Sequence, residues 1–171
     1  GGSGSDWALY DTATTGVTVD LDGSNVVTAN SDLGSDSLSN IENISGSDTG
    51  NDVITGDNSA NTLLGNAGDD TLVGESGDDS LSGGSGNDIL TAGFGSDTLD
   101  GGTQSNGSSD GDWADYSATG GVSVTLNTST DATASNNLGD DTIRNVEHII
   151  GSSAGDDVIT GDSANNTLVG S

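Results

Sequence analysis

The sequence predicts an all-β fold: a parallel β-solenoid in which two nine-residue rows close one 18-residue coil. Three observations predict it. A nine-residue period runs without slipping from Ser47 to Asp100, as SDTGNDVIT, GDNSANTLL, GNAGDDTLV, GESGDDSLS, GGSGNDILT and AGFGSDTLD. One large aliphatic holds the eighth place of every row, at Ile54, Leu63, Leu72, Leu81, Leu90 and Leu99. The chain of 171 residues is only 29% apolar and 3% aromatic, too little to fill a conventional globular core.

Each row reads as a Gly-rich turn of about six residues followed by a strand of about three, the strand sending its eighth residue inward. Strands that short need neighbours. Stacking coils at the interstrand spacing of about 4.8 Å turns the aliphatics into a thin internal ladder. Low hydrophobicity with high charge also describes a disordered tail, but a disordered or linker sequence has no reason to keep an aliphatic and a carboxylate in phase over six rows.

A longer repeat contains the short one. Trp7, Tyr10, Leu21, Glu42, Asp52 and Gly56 recur about 105 residues later as Trp113, Tyr116, Leu126, Glu147, Asp157 and Gly161. The expected organisation is a strand-rich lead-in over 1–46, a nonapeptide block over 47–109, a second lead-in over 110–151 and the start of a second block over 152–171, joined in one continuous solenoid. Both ends read as cut from a longer tandem array. In the lead-ins, GVTVDL and GGVSVTL alternate as half-buried strands do. Leu38, Ile41 and Ile44 have a spacing of three, yet the surrounding Gly, Ser and Asn argue for strands and turns there too.

Charge sets the next constraint. Asp and Glu number 28 against one basic residue, Arg144, for a net charge of −27. Such a chain cannot neutralise phosphates, so nucleic acid is not expected as a partner, nor an anionic membrane surface. No apolar run is long enough for a membrane-spanning helix, so membrane insertion is not expected. With no cysteine, neither disulfides nor thiolate metal sites are available. Something cationic must compensate the carboxylates.

The sixth position of each row shows where. It is Asp52, Asn61, Asp70, Asp79, Asp88 and Asp97, and stacking places Asp52 by Asp70 and Asp70 by Asp88 on one edge, with Asn61, Asp79 and Asp97 on the other. Bare carboxylates so placed would repel. Ca²⁺ relieves this, being a hard cation that takes six to eight oxygens at about 2.3–2.6 Å and accepts carboxylates and backbone carbonyls together; Mg²⁺, with its small rigid octahedron, is less suited. Glycine at the fourth position of every row except at Ser59 lets the turn adopt positive φ and aim carbonyls.

GGSGNDILT matches the G-G-x-G-x-D-x-U-x nonapeptide, and the chain resembles the RTX (repeats-in-toxin), or haemolysin-type, calcium-binding repeat family over rows 47–100 and 152–169, with GGSGSD at the start. The resemblance implies a parallel β-roll with Ca²⁺ between stacked turns. The ligands it implies are Asp52, Asp70, Asp79, Asp88 and Asp97, with Asn61 as a weaker substitute. Carbonyls near Gly50, Asn66, Gly68, Glu75, Gly77, Gly84, Gly86, Gly93 and Gly95 complete them, and Gly155 and Asp157 begin the second block. Ser59 and Asn61 depart from the pattern, as Asn166 does, and so do Gln104 and Asn106 in the seventh row. About five ions would bring the net charge from −27 to roughly −17.

Against this set the catalytic readings are weak. His148 is the only histidine and is expected as a surface or turn residue. The pair Asp78–Asp79 repeats with the rows, whereas glycosidase carboxylates form one isolated pair across a cleft. Trp7 and Trp113, both in W-A-x-Y phrases, are expected to pack at the coil interior or edge rather than to stack on sugars. Glu42 and Glu147 read equally as calcium ligands or as solvated strand residues. The third positions, Thr49, Asn58, Ala67, Ser76, Ser85 and Phe94, do not form the threonine array of an ice-binding face.

The expected function is therefore non-catalytic: a calcium-binding structural or adhesive module that folds on Ca²⁺ outside the cell. The resemblance implies a bacterial surface or extracellular protein exported by type I secretion, with a stalk or fibre of self-associating copies, or a cell-surface or matrix ligand, as the expected setting. The alternative is the calcium-folding tail of a secreted hydrolase or toxin.

Overall fold

The computed structural model describes residues 1–21, 27–103, 111–127 and 131–170, with the backbone alone for 27–30. Gln104 and Asn106 lie outside the described residues. Eighteen strands and no helix are present among those described.

The strands are β1 (Trp7–Leu9), β2 (Thr18–Asp20), β3 (Val27–Ser31), β4 (Gly34–Leu38), β5 (Asn43–Ser45) and β6 (Val53–Thr55), then β7 (Thr62–Ala67), β8 (Thr71–Ser76), β9 (Ser80–Ser85), β10 (Ile89–Phe94) and β11 (Thr98–Thr103). The second lead-in and block give β12 (Trp113–Asp115), β13 (Ser123–Thr125), β14 (Ala132–Ser135), β15 (Asp140–Arg144), β16 (His148–Ile150), β17 (Val158–Thr160) and β18 (Thr167–Val169). They form two nine-stranded sheets, in the orders β1-β5-β7-β9-β11-β15-β14-β13-β17 and β18-β16-β12-β10-β8-β6-β2-β3-β4.

Within the nonapeptide block, pairing is parallel and links residues 18 apart. Leu63 pairs with Leu81 and Leu81 with Leu99 in the first sheet; Ile54 pairs with Leu72 and Leu72 with Leu90 in the second. Successive rows thus alternate between sheets, which is the parallel β-roll. The six eighth-position aliphatics are all fully buried, and Ile44, Ile143 and Ile149 extend the ladders. Each side chain is sandwiched between like neighbours one coil away, so a core one side chain wide suffices. Leu168 shows the converse: it sits on β18, which has no described strand on its far side, and is 38% exposed.

Two features depart from the row-by-row reading. The strands β7 to β11 are six residues long instead of about three, because each runs on through the first three positions of the next row. The first position therefore faces inward, where only a small residue fits: a Cβ on Gly65 would lie 2.2 Å from Asp70 Oδ2 and 2.7 Å from the Gly83 carbonyl oxygen. Ala92 is the single larger residue there within rows 56–100. The lead-ins also contain antiparallel pairs, β2–β3–β4 in the first and β13–β14–β15 in the second. The hairpin strands β3 and β4 stay in the sheet of β2, and the nine strands β1, β2 and β5 to β11 alternate between the sheets, an odd number, so the second long repeat begins on the opposite sheet: β1 lies in the first sheet and its counterpart β12 in the second.

The placement of the aromatic residues reflects this phase. In W-A-x-Y, Ala8 and Ala114 take the inward place with Tyr10 and Tyr116, all buried, while Trp7 is 44% exposed on the outer face. Trp113 lies half-buried on the outer face of its own sheet, so of the two expected placements, coil interior or edge, neither ring takes the interior one. His148 also corrects its expectation: it is a buried strand residue at 6% exposure, its ring 4.7 Å from that of Trp113, and its Nδ1 accepts the Thr167 N–H at 2.9 Å. The pairing of Trp113 with His148 across β12 and β16 covers it.

Candidate metal centre

The sixth-position residues form two columns, one per edge. The backbone N–H of each donates to the carboxylate Oδ1 of the residue one coil on. Asp52 donates to Asp70 at 2.7 Å, Asp70 to Asp88 at 2.8 Å and Asp88 to Asp112 at 2.8 Å. On the other edge Asn61 donates to Asp79 at 2.8 Å, Asp79 to Asp97 at 2.8 Å and Asp97 to Asp141 at 3.1 Å. Asp70, Asp79, Asp88, Asp97, Asp112 and Asp141 are all buried.

One carboxylate oxygen is thereby satisfied and the other is not. The Oδ2 atoms of Asp70, Asp79, Asp88 and Asp97 are buried and have no hydrogen-bond partner. An ionised carboxylate with an unsatisfied buried oxygen is costly. Burial accordingly pushes Asp70, Asp79 and Asp88 from 3.8 up to about 7, a rise that their amide hydrogen bonds only partly offset and that neighbouring carboxylates increase. Asp97 is raised for the same first reason, and Asp141 to about 6.

Carbonyl oxygens run in columns beside the carboxylates. At the second position the Asn66 carbonyl points at Gly84, and a Cβ there would lie 2.0 Å from it; the Glu75 carbonyl stands in the same relation to Gly93 and that of Gly84 to Gly102. At the fourth position the carbonyls of Gly50, Gly68 and Gly77 point at Gly68, Gly86 and Gly95. Asn66 and Glu75 carry positive φ, 77° and 74°, and begin their columns. Gly84 and Gly93, which stand above those carbonyls, must lack a Cβ. Gly155, at φ 110°, has the Gly120 carbonyl below it in the second block.

These columns fit a calcium ion and exclude softer alternatives. No three His, Cys, Asp or Glu side chains converge among the described residues, so a cation here must draw on backbone carbonyls. Hard oxygen donors with one or two carboxylates per turn suit Ca²⁺, whereas zinc requires a compact set of side-chain ligands. The Oδ2 atoms of Asp70, Asp79, Asp88 and Asp97, buried and without hydrogen-bond partners, would offer such a cation its negative charge.

The remaining site residues behave differently. Asp52 Oδ1 accepts the Val17 N–H at 2.7 Å and the Ser47 hydroxyl at 3.0 Å, and its Oδ2 accepts the Ser47 N–H at 2.8 Å. Asp157 Oδ1 accepts Val122 N–H at 3.0 Å, Ser152 N–H at 3.2 Å and the Ser152 hydroxyl at 2.9 Å. Asn61 is buried within its own turn, and Gly50 lies outside the positive-φ region.

Row counting misses Asp112 and Asp141, which take the sixth position above Asp88 and Asp97 after insertions. The signal for the first is the phrase Asp-Trp-Ala, present as Asp6-Trp7-Ala8 and again as Asp112-Trp113-Ala114. Glu42 and Glu147 stand in the same position: Glu42 Oε2 accepts the Asp6 N–H at 2.9 Å and Glu147 Oε2 the Asp112 N–H at 3.0 Å. The single Lys or Arg side chain, Arg144, pairs with Asp131 at 3.3 Å, both side chains exposed.

A family model described as the RTX calcium-binding nonapeptide repeat matches residues 46–81, 73–107 and 152–171. No curated protein matches the chain.

Proposed function

We propose, from the premise that this chain is a member of the RTX calcium-binding nonapeptide repeat family, that it is a structural module of an extracellular protein whose nonapeptide block folds on Ca²⁺. The repeats bind calcium. The observation that carries the finer reading is that the buried Oδ2 atoms of Asp70, Asp79, Asp88 and Asp97, at the sixth position of four consecutive rows, have no hydrogen-bond partner. Those residues would hold the ions, with carbonyls from Asn66, Gly68, Glu75, Gly77, Gly84, Gly86, Gly93 and Gly95. Bound Ca²⁺ supplies positive charge and six to eight oxygen positions.

The four carboxylates make the fold depend on that charge. Without a cation, each must either protonate or remain charged in a buried place, and the block is destabilised. With calcium at extracellular concentration, binding free energy becomes folding free energy. A chain that stays open inside the cell and closes outside suits export in the unfolded state, and a solenoid built on a long tandem repeat suits a stalk, fibre or adhesive array. A calcium titration followed by far-ultraviolet circular dichroism tests the reading. The folding midpoint is expected between submicromolar cytosolic and millimolar extracellular Ca²⁺; a midpoint below micromolar would contradict an extracellular folding switch.

A further inference from the structure

The turns of the block are of two kinds, and the difference lies in what satisfies the sixth-position side chain. In rows 65, 74, 83 and 92 the second residue has positive φ, at Asn66, Glu75, Gly84 and Gly93, and the sixth-position Oδ2 is left without a partner. In row 56 the second residue is Asp57, outside that region, and its N–H donates to Asn61 Oδ1 at 2.8 Å. The Asn61 Nδ2 group donates to the Glu42 carbonyl at 2.9 Å and towards Asp57 Oδ1 at 3.4 Å, and Asp57 Oδ1 also accepts the Ser59 N–H at 2.8 Å.

The same arrangement occurs a second time. Asp162 N–H donates to Asn166 Oδ1 at 2.8 Å, Asn166 Nδ2 donates to the Glu147 carbonyl at 3.0 Å and to Asp162 Oδ1 at 3.1 Å, and Asp162 Oδ1 accepts the Ala164 N–H at 2.8 Å. A neutral carboxamide thus gathers one carbonyl and one carboxylate through its N–H donors. It presents to those oxygens the positive partner that a cation would otherwise provide, and being uncharged it adds no repulsion to the column. In the coil 47–64, Ser47 also satisfies both carboxylate oxygens of Asp52, its hydroxyl donating to Oδ1 and its N–H to Oδ2.

We propose that the pairs Asp57/Asn61 and Asp162/Asn166 mark metal-independent turns, so that each long repeat carries near the start of its nonapeptide block one row locked by hydrogen bonds, 56–64 and 161–169, beside which calcium-requiring rows continue. The second and sixth positions together decide which kind a row becomes: Asp with Asn closes the turn without metal, and a positive-φ residue with Asp requires calcium. This rests on the reading of Asp70, Asp79, Asp88 and Asp97 as calcium ligands.

The test is the number of calcium ions bound by the full 171-residue chain, measured by equilibrium dialysis with metal analysis, with folding in millimolar Ca²⁺ checked by circular dichroism. Asn61→Ala and Asp57→Ala are expected to bind as many ions as the parent with half-saturation changed less than about twofold, while Asp88→Asn binds fewer. A lower count in Asn61→Ala alongside a lower count in Asp88→Asn overturns this inference alone. An unchanged count in Asp88→Asn overturns the ligand reading beneath it, and this inference with it. Should the row 56 variants fail to fold, the reciprocal graft decides: Asn66→Asp with Asp70→Asn is expected to lose calcium yet keep the β spectrum. A graft that unfolds as Asp70→Ala does overturns the proposal.

Discussion

Asp79→Asn is the most informative single substitution, because its effect should change sign with calcium. Asp79 is 3% exposed; its Oδ1 holds the Asn61 N–H at 2.8 Å while its Oδ2 has no partner. Asparagine keeps the volume and the Oδ1 acceptor and removes the charge. In calcium the variant loses a ligand. At a hundredfold excess of ion over Kd, a lost site forfeits about 2.7 kcal/mol, or roughly 5–11 °C in Tm for a chain of this size. In chelator near pH 8 the same change removes a buried, uncompensated charge. The rise of the Asp79 carboxyl to about 7 sets an upper bound near 4 kcal/mol, reduced to about 1–2 kcal/mol by solvent screening at the turn edge. Thermal melts in calcium and β content in chelator are the assays. The variant should melt lower in calcium and show equal or greater β content in chelator. A loss in both conditions would refute the account of Asp79 as a carboxylate made costly by burial and rescued by a cation.

The same geometry yields two further outcomes. Asp70, Asp79 and Asp88 have folded-state values near 7 against 3.8 for the free side chain. The calcium-free fold therefore binds more protons than the open chain between those values, and its stability is full below about 4 and declines as pH rises to about 7. Calcium-free chain moved from pH 8 to 5 should gain β signal by circular dichroism, whereas in limiting calcium the same acidification should weaken ion binding; a loss of β signal without calcium would contradict the burial argument. At the turns, Gly4 and Gly86 have similar positive φ, 128° and 140°, but a Cβ on Gly4 meets nothing within 4 Å while one on Gly86 lies 1.9 Å from the Gly68 carbonyl oxygen. Gly4→Ala should cost about 1 kcal/mol of backbone strain, and Gly86→Ala clearly more, with weaker calcium affinity, in denaturant titrations at fixed calcium.

The nonapeptide phase makes the ladder legible: Leu63, Leu81 and Leu99, like Ile54, Leu72 and Leu90, stack as their eighth-position places require. A period fixes which residues are neighbours, and a core one side chain wide needs little else. Strand length is less legible, since glycine at the first position reads as a turn until Asp70 Oδ2 is seen occupying the space of the Gly65 Cβ. Row counting also fails at insertions. Asp112 follows Asp88 by 24 residues and Asp141 follows Asp97 by 44, so their places in the columns emerge only from the hydrogen bonds. The burial of His148 is hidden from sequence because a lone imidazole is covered by its cross-strand neighbour, here Trp113, which lies 35 positions away in the chain. Asn61 reads as a degraded carboxylate until the partners of its side-chain amide are known.

The most direct measurement is the position of the ions. Crystals of the chain grown in calcium, with anomalous difference density recorded, should show peaks against the Oδ2 atoms of Asp70, Asp79, Asp88 and Asp97 on both edges and none at Asn61. Peaks confined to the exposed carboxylates of Asp69 and Asp78, or no ordered peak beside the buried columns, would contradict the account.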